Sequence, residues 1–320
     1  MICHKSVVVL SLCFFTCSIV FGQENEIEIF HEIKDTRTLG RHYFTLSNTI
    51  RSPFILTNAR MSLGIGEIND FKYPLLDLEN TKFAYLQGDI LAALLSFEYQ
   101  HAVKEWLAVN IGFGLIGRLG TDLASFVQQG ANYSTTFDIG WLINIYRQER
   151  FVIAANLGLS NGNYSFINVQ NFVGDIVNKI PNPSFSASNN VLYGISGIKA
   201  AYGLSPFIGF NLSADLGYGE TIQRQLDNQW FSMLGIYTDL DFTPLIRTPV
   251  SVSLGYLYSS YPRNNNENVF SNNVFLSQIS YIGRTNFILG LDINFSRELI
   301  GTNDKTAWLQ TIMFGMRYLF

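Results

Sequence analysis

Beyond its first two dozen residues the chain predicts an all-β fold: a transmembrane, antiparallel, up-and-down β-barrel of about twelve strands. Three observations predict it. Apolar and polar side chains alternate with a period of two in segment after segment from Thr57 to Phe320, which is the pattern of strands with two different faces. The connections between segments alternate long, short, long, short, with tight reversals at Lys104, Glu149, Ser205, Thr243 to Thr248 and Arg284. The chain is apolar, with 26 Phe, 16 Tyr, 26 Gly and only 14% charged residues, yet no apolar run after Phe21 approaches the ~20 residues of a helical span. Backbone amides left unpaired in hydrocarbon cost on the order of several kcal/mol each, so strands cross a bilayer only when their sheet closes. A large secreted β-sandwich would also show short alternating strands, but it has no reason to alternate the length of its connections.

Taken in order, residues 1–22 read as a signal peptide. Lys5 precedes an apolar run from Val7 to Phe21, and Val20 and Gly22 are small residues ahead of a cut before Gln23. The run is shorter than an anchor helix needs, and Leu12, Phe14, Phe15 and Thr16 fit a lipoprotein cut poorly. Cys3, Cys13 and Cys17 all lie in this leader, so the mature chain is expected to hold no disulfide and no thiol ligand. Losing Lys5 from 21 basic residues against 25 acidic ones moves the net charge from −4 to −5. There is no basic stripe, and no nucleic-acid partner is expected. Residues 23–53 are mixed, with Glu24, Glu26, Glu28 and Glu32 followed by Lys34, Arg37 and Arg41. They are too few for a domain, and three fates are open: a loose periplasmic segment, an extra strand, or a plug inside the barrel.

The barrel is assigned to residues 54–320. In its first strand Ala59, Met61, Leu63 and Ile65 face lipid and Asn58, Arg60, Ser62 and Gly64 face inward. A long loop is expected from Glu67 to Gln87, around Pro74. Leu91 to Tyr99 then oppose Ser96, Glu98 and Gln100, and after a turn at Val103 to Glu105, Leu107 to Leu115 oppose Asn110, Gly112, Gly114 and Arg118. A loop over Gly120 to Asn132 leads to the clearest alternation, Tyr133, Phe137, Ile139, Trp141, Ile143 and Ile145 against Ser134, Thr136, Asp138, Gly140 and Asn144. A tight turn then leads into Phe151 to Leu159, opposed by Ala154, Asn156, Gly158 and Ser160. The longest loop, Asn161 to Asn190, carries a weak helical pattern over Phe166 to Ile180.

In the second half Leu192 to Tyr202 oppose Gly197 and Lys199, and Ile208 to Leu216 oppose Gly209, Asn211, Ser213 and Asp215. Leu234 to Phe242 oppose Gly235, Tyr237, Asp239 and Asp241, and Val250 to Tyr258 oppose Ser251, Ser253, Gly255 and Ser259. A strand over Val274 to Ile282 and one over Leu289 to Phe295, opposed by Gly290, Asp292, Asn294, Ser296 and Glu298, bring the chain to Ala307–Phe320. There Ile312, Phe314, Met316, Tyr318 and Phe320 share one face and Thr311, Gly315 and Arg317 the other.

This last stretch resembles the C-terminal signature of Gram-negative outer-membrane β-barrel proteins. The resemblance implies an outer-membrane location, contact with membrane lipid, and recognition of Phe320 and Tyr318 by the barrel-assembly machinery. Short turns and both chain ends are then expected on the periplasmic side, with the long loops outside.

Parity points Arg60, Arg118, Lys199 and Arg317 inward with Glu98, Asp138, Asp215, Asp239, Asp241, Asp292 and Glu298. All but Glu298 form the candidate lumen set. The excess of negative charge favours cations if water fills the lumen, unless the charges pair with one another or with a plug. Arg60 and Arg317 lie on the strands that must meet for closure, and Glu24 to Glu32 are expected to fold in and neutralise them. Arg147, Arg297 and His101 fall on the lipid face near strand ends, where a charge costs about 0–1 kcal/mol. Inward glycines are many, Gly64, Gly112, Gly114, Gly140, Gly158, Gly209, Gly217, Gly235, Gly255, Gly290 and Gly315, as if something came close to the wall or the wall bent sharply.

Gly112, Gly114 and Gly117 match a dinucleotide fingerprint by spacing only, since they lie inside a strand and open no helix. Barrels resembling outer-membrane phospholipases or omptins would need a histidine near the outer rim. His31 and His42 precede the barrel and His101 falls at the opposite end, so no enzyme, metal or cofactor is expected. The expected function is a channel or uptake protein for small solutes, loosely similar to the hydrophobic-solute transporters of the fatty-acid and phenol-degradation type. The alternative is a structural or surface-interaction barrel that uses its asparagine-rich loops.

Overall fold

The computed structural model describes residues 36–320 apart from 79–80, 120–129, most of 168–185, 221–227, 263–268, 285 and 301–304. The leader and Glu24 to Glu32 lie outside the described residues, as does most of the helix expected over Phe166 to Ile180. The described chain opens with two short strands, β1 (Thr38–Leu39) and β2 (His42–Tyr43), paired as a small ribbon. Twelve long antiparallel strands follow: β3 (Asn58–Leu78), β4 (Thr81–Lys104), β5 (Leu107–Leu119), β6 (Gly130–Arg147), β7 (Phe151–Ile167) and β8 (Ser186–Gly203). The set is completed by β9 (Ile208–Gly219), β10 (Gln229–Asp241), β11 (Val250–Pro262), β12 (Val269–Arg284), β13 (Phe287–Ile300) and β14 (Lys305–Leu319). Each pairs with its neighbours in sequence, and β14 pairs antiparallel with β3, so the sheet is a closed up-and-down barrel. Closure removes both sheet edges, the requirement that hydrocarbon imposes on any strand that crosses it.

The alternation predicted from sequence sorts the two faces. On β9 buried and more exposed residues alternate, with Leu212 and Leu216 about half exposed and Asn211, Ser213 and Asp215 buried. Antiparallel register carries this around the ring, since Leu212 lies opposite Ile236 on one side and Ala200 on the other. The outer wall therefore bears a continuous apolar band, including Leu63, Leu157, Leu234, Phe275 and Phe314, all exposed. Exposed aromatics flank it: Trp106, Tyr146, Tyr202, Tyr318 and Phe320 at the short-turn rim, Tyr133, Tyr218, Trp230 and Trp308 toward the other. So large an apolar surface is untenable in water, and the girdled band is the outer surface of a membrane-spanning barrel.

Three sequence expectations change. The loop expected over Glu67 to Gln87 is a continuation of β3 and β4 as a paired hairpin, with bulges beside Ile68 and Pro74. Pro74 lacks an amide donor, and the bulge accommodates it. The loop after β7 is likewise shorter than expected, because β7 runs to Ile167 and β8 starts at Ser186. Arg147 does not face lipid. A bulge between Asn144 and Tyr146 shifts the register with β7 and flips the parity of the last residues, so Arg147 turns inward and its guanidinium donates to the Thr36 carbonyl at 2.7 Å.

Candidate functional site

The interior at the short-turn rim is filled by the protein's own segment Thr36–Thr57. Its entry is fixed by main-chain bonds, the Gly40 amide donating to the Glu149 carbonyl at 2.7 Å. Gly40 has φ +57, and Arg41 follows at φ 70, the left-handed backbone of a tight reversal between β1 and β2. Arg37, buried, stacks its guanidinium 4.3 Å from the Tyr43 ring centre. Leu39, Phe44, Leu46 and Phe54 then pack with Val152 of β7 and Ala201 of β8 in one apolar cluster. Ile55 fills a second with Ala108, Leu142 and Ala154, and Ile50 a third with Tyr237 and Leu276. A barrel of this strand number is too wide for its wall side chains alone to fill, and these clusters supply the missing volume.

Polar contacts fasten the segment at points around the wall. His42 and Asp239 are both fully buried, with Nε2 3.5 Å from a carboxylate oxygen and Nδ1 3.2 Å from the Pro206 carbonyl. The same carboxylate accepts from the Thr45 amide at 2.5 Å and from the Ser253 hydroxyl at 2.8 Å, while the Thr45 hydroxyl donates to that of Ser251 at 2.5 Å. Further round, the Asn48 amide donates to Asp292. At the closure seam Arg60 and Arg317 stand directly opposite one another, an arrangement that repels. Arg317 donates to the Ser47 carbonyl at 3.1 Å and Arg60 to the Asn48 carbonyl at 2.5 Å. Glu98 supplies the balancing charge, 3.2 Å from Arg60 and 3.3 Å from Arg51 of the plug. Gln100 donates to the carbonyls of Phe54 and Leu56 where the segment leads into β3.

Wall glycines make room for this segment. A Cβ at Gly209 would overlap the rings of His42 and Phe44, one at Gly235 would lie 2.9 Å from Ile50, and one at Gly315 2.7 Å from Asn48. At these three positions the plug is what approaches the wall, whereas at Gly64, Gly112, Gly114, Gly140, Gly158, Gly217 and Gly255 it is the neighbouring strand.

Residues 47–52 face two contiguous cavities. One, of about 250 Å³, is lined by Glu98, Asn110, Thr136, Asp138 and Asn156. The other, of about 190 Å³, continues past Asp138 and Asn156 to Ser160, Lys199, Asp215 and the apolar side chains of Met233 and Leu257. Lys199, buried, is held by Asp215 and by the Ser213 hydroxyl, the latter at 2.6 Å. The lumen therefore has a plugged end and, above the plug, a polar chamber.

No protein-family model and no curated protein matches the chain. Among solved structures, an outer membrane channel from Pseudomonas putida F1 matches 87% of this chain and 100% of its own at 8% identity, with a TM-score of 0.53. The fold is that of an outer-membrane β-barrel. The NanC porin (7% identity, 82% of this chain and 100% of that one, TM-score 0.49) and the Ralstonia pickettii toluene transporter TbuX (10%, 90% and 100%, TM-score 0.39) lie further away. At such identities the likeness is one of fold.

The predicted lumen residues fall into three groups. Arg60, Glu98, Arg317, Asp239 and Asp292 are engaged by the plug, and Asp138, Lys199 and Asp215 stand on the chamber wall. Asp241 and Arg118 line neither cavity. Asp241, although buried, accepts from the Thr243 amide at 2.8 Å and so shapes the β10–β11 turn, with its one-turn helix Thr243–Ile246. Arg118 sits near the long-loop end of β5. The acidic start expected to neutralise Arg60 and Arg317 lies outside the described residues, and among those described Glu98 and two plug carbonyls do this work. His42, set aside in the sequence because it precedes the barrel, forms a buried pair with Asp239 that only the folded-in segment creates. Sequence reasoning also missed Thr45, Asn48 and Arg51, whose one signal was the row of inward glycines across from them.

Proposed function

We propose that the protein is an outer-membrane channel or uptake barrel for small solutes, held closed at its short-turn rim by residues 36–57. The observation that carries this reading is the polar chamber directly above the plug, inside a wall whose outer surface suits lipid. A barrel serving only as an anchor has no use for a chamber lined by a carboxylate, amides and hydroxyls. Passage then requires the plug to shift: its polar fastenings exchange with water at modest net cost, while its three apolar clusters with the wall oppose the shift. The short-turn rim is assigned to the periplasm, which places the removal of residues 1–22 and the plug on the same side. The protein is read as a non-enzyme. His42 is fully buried, with Nδ1 at the Pro206 carbonyl and Nε2 turned toward the Asp239 carboxylate at 3.5 Å, and is not presented to a substrate in either chamber.

The hairpin of β3 and β4 favours a second role beside the first. At 21 and 24 residues these strands far exceed the ~9–11 residues needed to cross a bilayer, and the excess forms a surface for contacts outside the membrane. The mature chain, purified in detergent and added to planar bilayers, is expected to give discrete conductance steps and to support liposome swelling. Absence of both, with loss of cell-surface binding on trimming residues 69–88, would replace the channel reading by the contact one.

A further inference from the structure

We infer that the two chambers above the plug form one recognition site for a small, neutral, polyhydroxylated solute of about monosaccharide size. This rests on the channel reading and specifies its cargo.

Hydrogen-bonding capacity comes first. Asn110 Oδ1, Asn156 Oδ1, Ser160 Oγ and Asp215 Oδ1 are buried, and none has a hydrogen-bond partner among the described residues. Their residues are 93–98% buried, with exposures of 4%, 6%, 2% and 7%, and all four line the chambers. Buried polar atoms are almost always paired, and three of these four are oxygens that only accept. A molecule carrying several hydroxyl donors matches them, whereas a hydrocarbon leaves them unpaired at full desolvation cost.

Charge comes next. Asp138 lines both chambers, and no basic group lies within ion-pair distance of it among the described residues. With Glu98 and Asp215 it makes three acids against the four bases Arg51, Arg60, Arg317 and Lys199, each of which is held by a carboxylate or a plug carbonyl, so neither sign prevails strongly. An anionic solute would be pressed against the Asp138 carboxylate, and a cationic one against Arg51, 39% exposed on the plug tip. A neutral solute avoids both penalties and uses the two groups as acceptor and donor.

Shape completes the case. Ile50, Ile195, Met233 and Leu257 line the second chamber together with the polar groups, Met233 standing directly opposite Asp215. A ring that carries both hydroxyls and C–H groups suits such a mixed lining. The chambers are each smaller than the ~300–1,000 Å³ usual for drug-sized ligands, which sets the size class.

The test uses the full mature barrel. Single-channel current is recorded with D-glucose, D-gluconate, D-glucosamine and toluene, and equilibrium dialysis of the detergent-solubilised barrel measures binding of labelled D-glucose. Glucose is expected to reduce the current reversibly at lower concentration than gluconate, glucosamine or toluene. Asp138→Asn is expected to raise the half-blocking concentration about tenfold, as when a hydrogen bond to a charged group is lost, and Leu254→Ala on the lipid face to leave it unchanged. If Asp138→Asn does not show the heat-shifted gel migration of a folded barrel, Ser160→Ala takes its place with the same expected direction. Block by toluene in preference to glucose, or an unaltered half-blocking concentration in the folded variant, overturns the inference. If no current passes at all, the channel reading fails, and dialysis still decides the site: glucose retained by the barrel and lost in Asp138→Asn supports it, and none retained overturns it.

Discussion

Gly209 shows how a single residue connects the wall to the plug. Its hydrogen lies where any Cβ would strike His42 and Phe44, so Gly209→Val is expected to push the β2 end of the plug off the wall while the barrel still closes. Trypsin should then cut at the buried Arg37 in the folded, detergent-solubilised protein. Gly117→Val, where a Cβ meets nothing within 4 Å, should leave Arg37 protected. Glu98 is the charge counterpart. Glu98→Gln leaves Arg51 and Arg60 without their carboxylate, and the reversal potential in a salt gradient is expected to shift toward anion selectivity. Parity in the sequence brought Glu98, Asp138, Lys199, Asp215 and Arg317 to the inner face because a strand has only two sides. Which of them the plug engages was not legible, since residues 36–57 carry no period that fixes a register against the wall.

Among the elements, the barrel strands were read closely where alternation is uninterrupted, as in β9, and less well where a bulge intervenes. One extra residue near Ile145 reverses every side chain after it, and no composition rule announces that residue; hence parity alone puts Arg147 on the wrong face. Strand ends were read short at β3, β4 and β7, because beyond the membrane a strand has no oily side to show and its sequence looks like a loop. The facing itself is testable. Leu212→Arg, on the outer face, is expected to cost about 2–4 kcal/mol near the bilayer midplane and to lower the yield of heat-modifiable barrel sharply. Thr136→Arg, pointing into the chamber, should assemble. Parity alone would have offered Asn211 for that control, but at 1% exposure under the plug it has no room for a longer side chain.

At the scale of the whole molecule, the closing seam and the plug are one construction. β14 and β3 bring two arginines face to face, and the carbonyls of Ser47 and Asn48 with the carboxylate of Glu98 make that meeting tolerable. Phe320 and Tyr318 stay exposed beside the seam, their rings 4.9 Å apart, and deletion of Phe320 is expected to slow assembly in cells with little effect on refolding in detergent, as a recognition role requires. The most direct test of a plugged conducting barrel is a reversible tether. The chain beyond residue 17 has no cysteine, and the Thr45 and Ser251 hydroxyls lie 2.5 Å apart, near enough for their sulfur replacements to bond. In T45C/S251C the conductance in planar bilayers should be low when oxidised and rise on reduction to that of the unmodified protein. Equal conductance in both redox states, with the disulfide shown to have formed, would contradict the claim that this segment closes the pore.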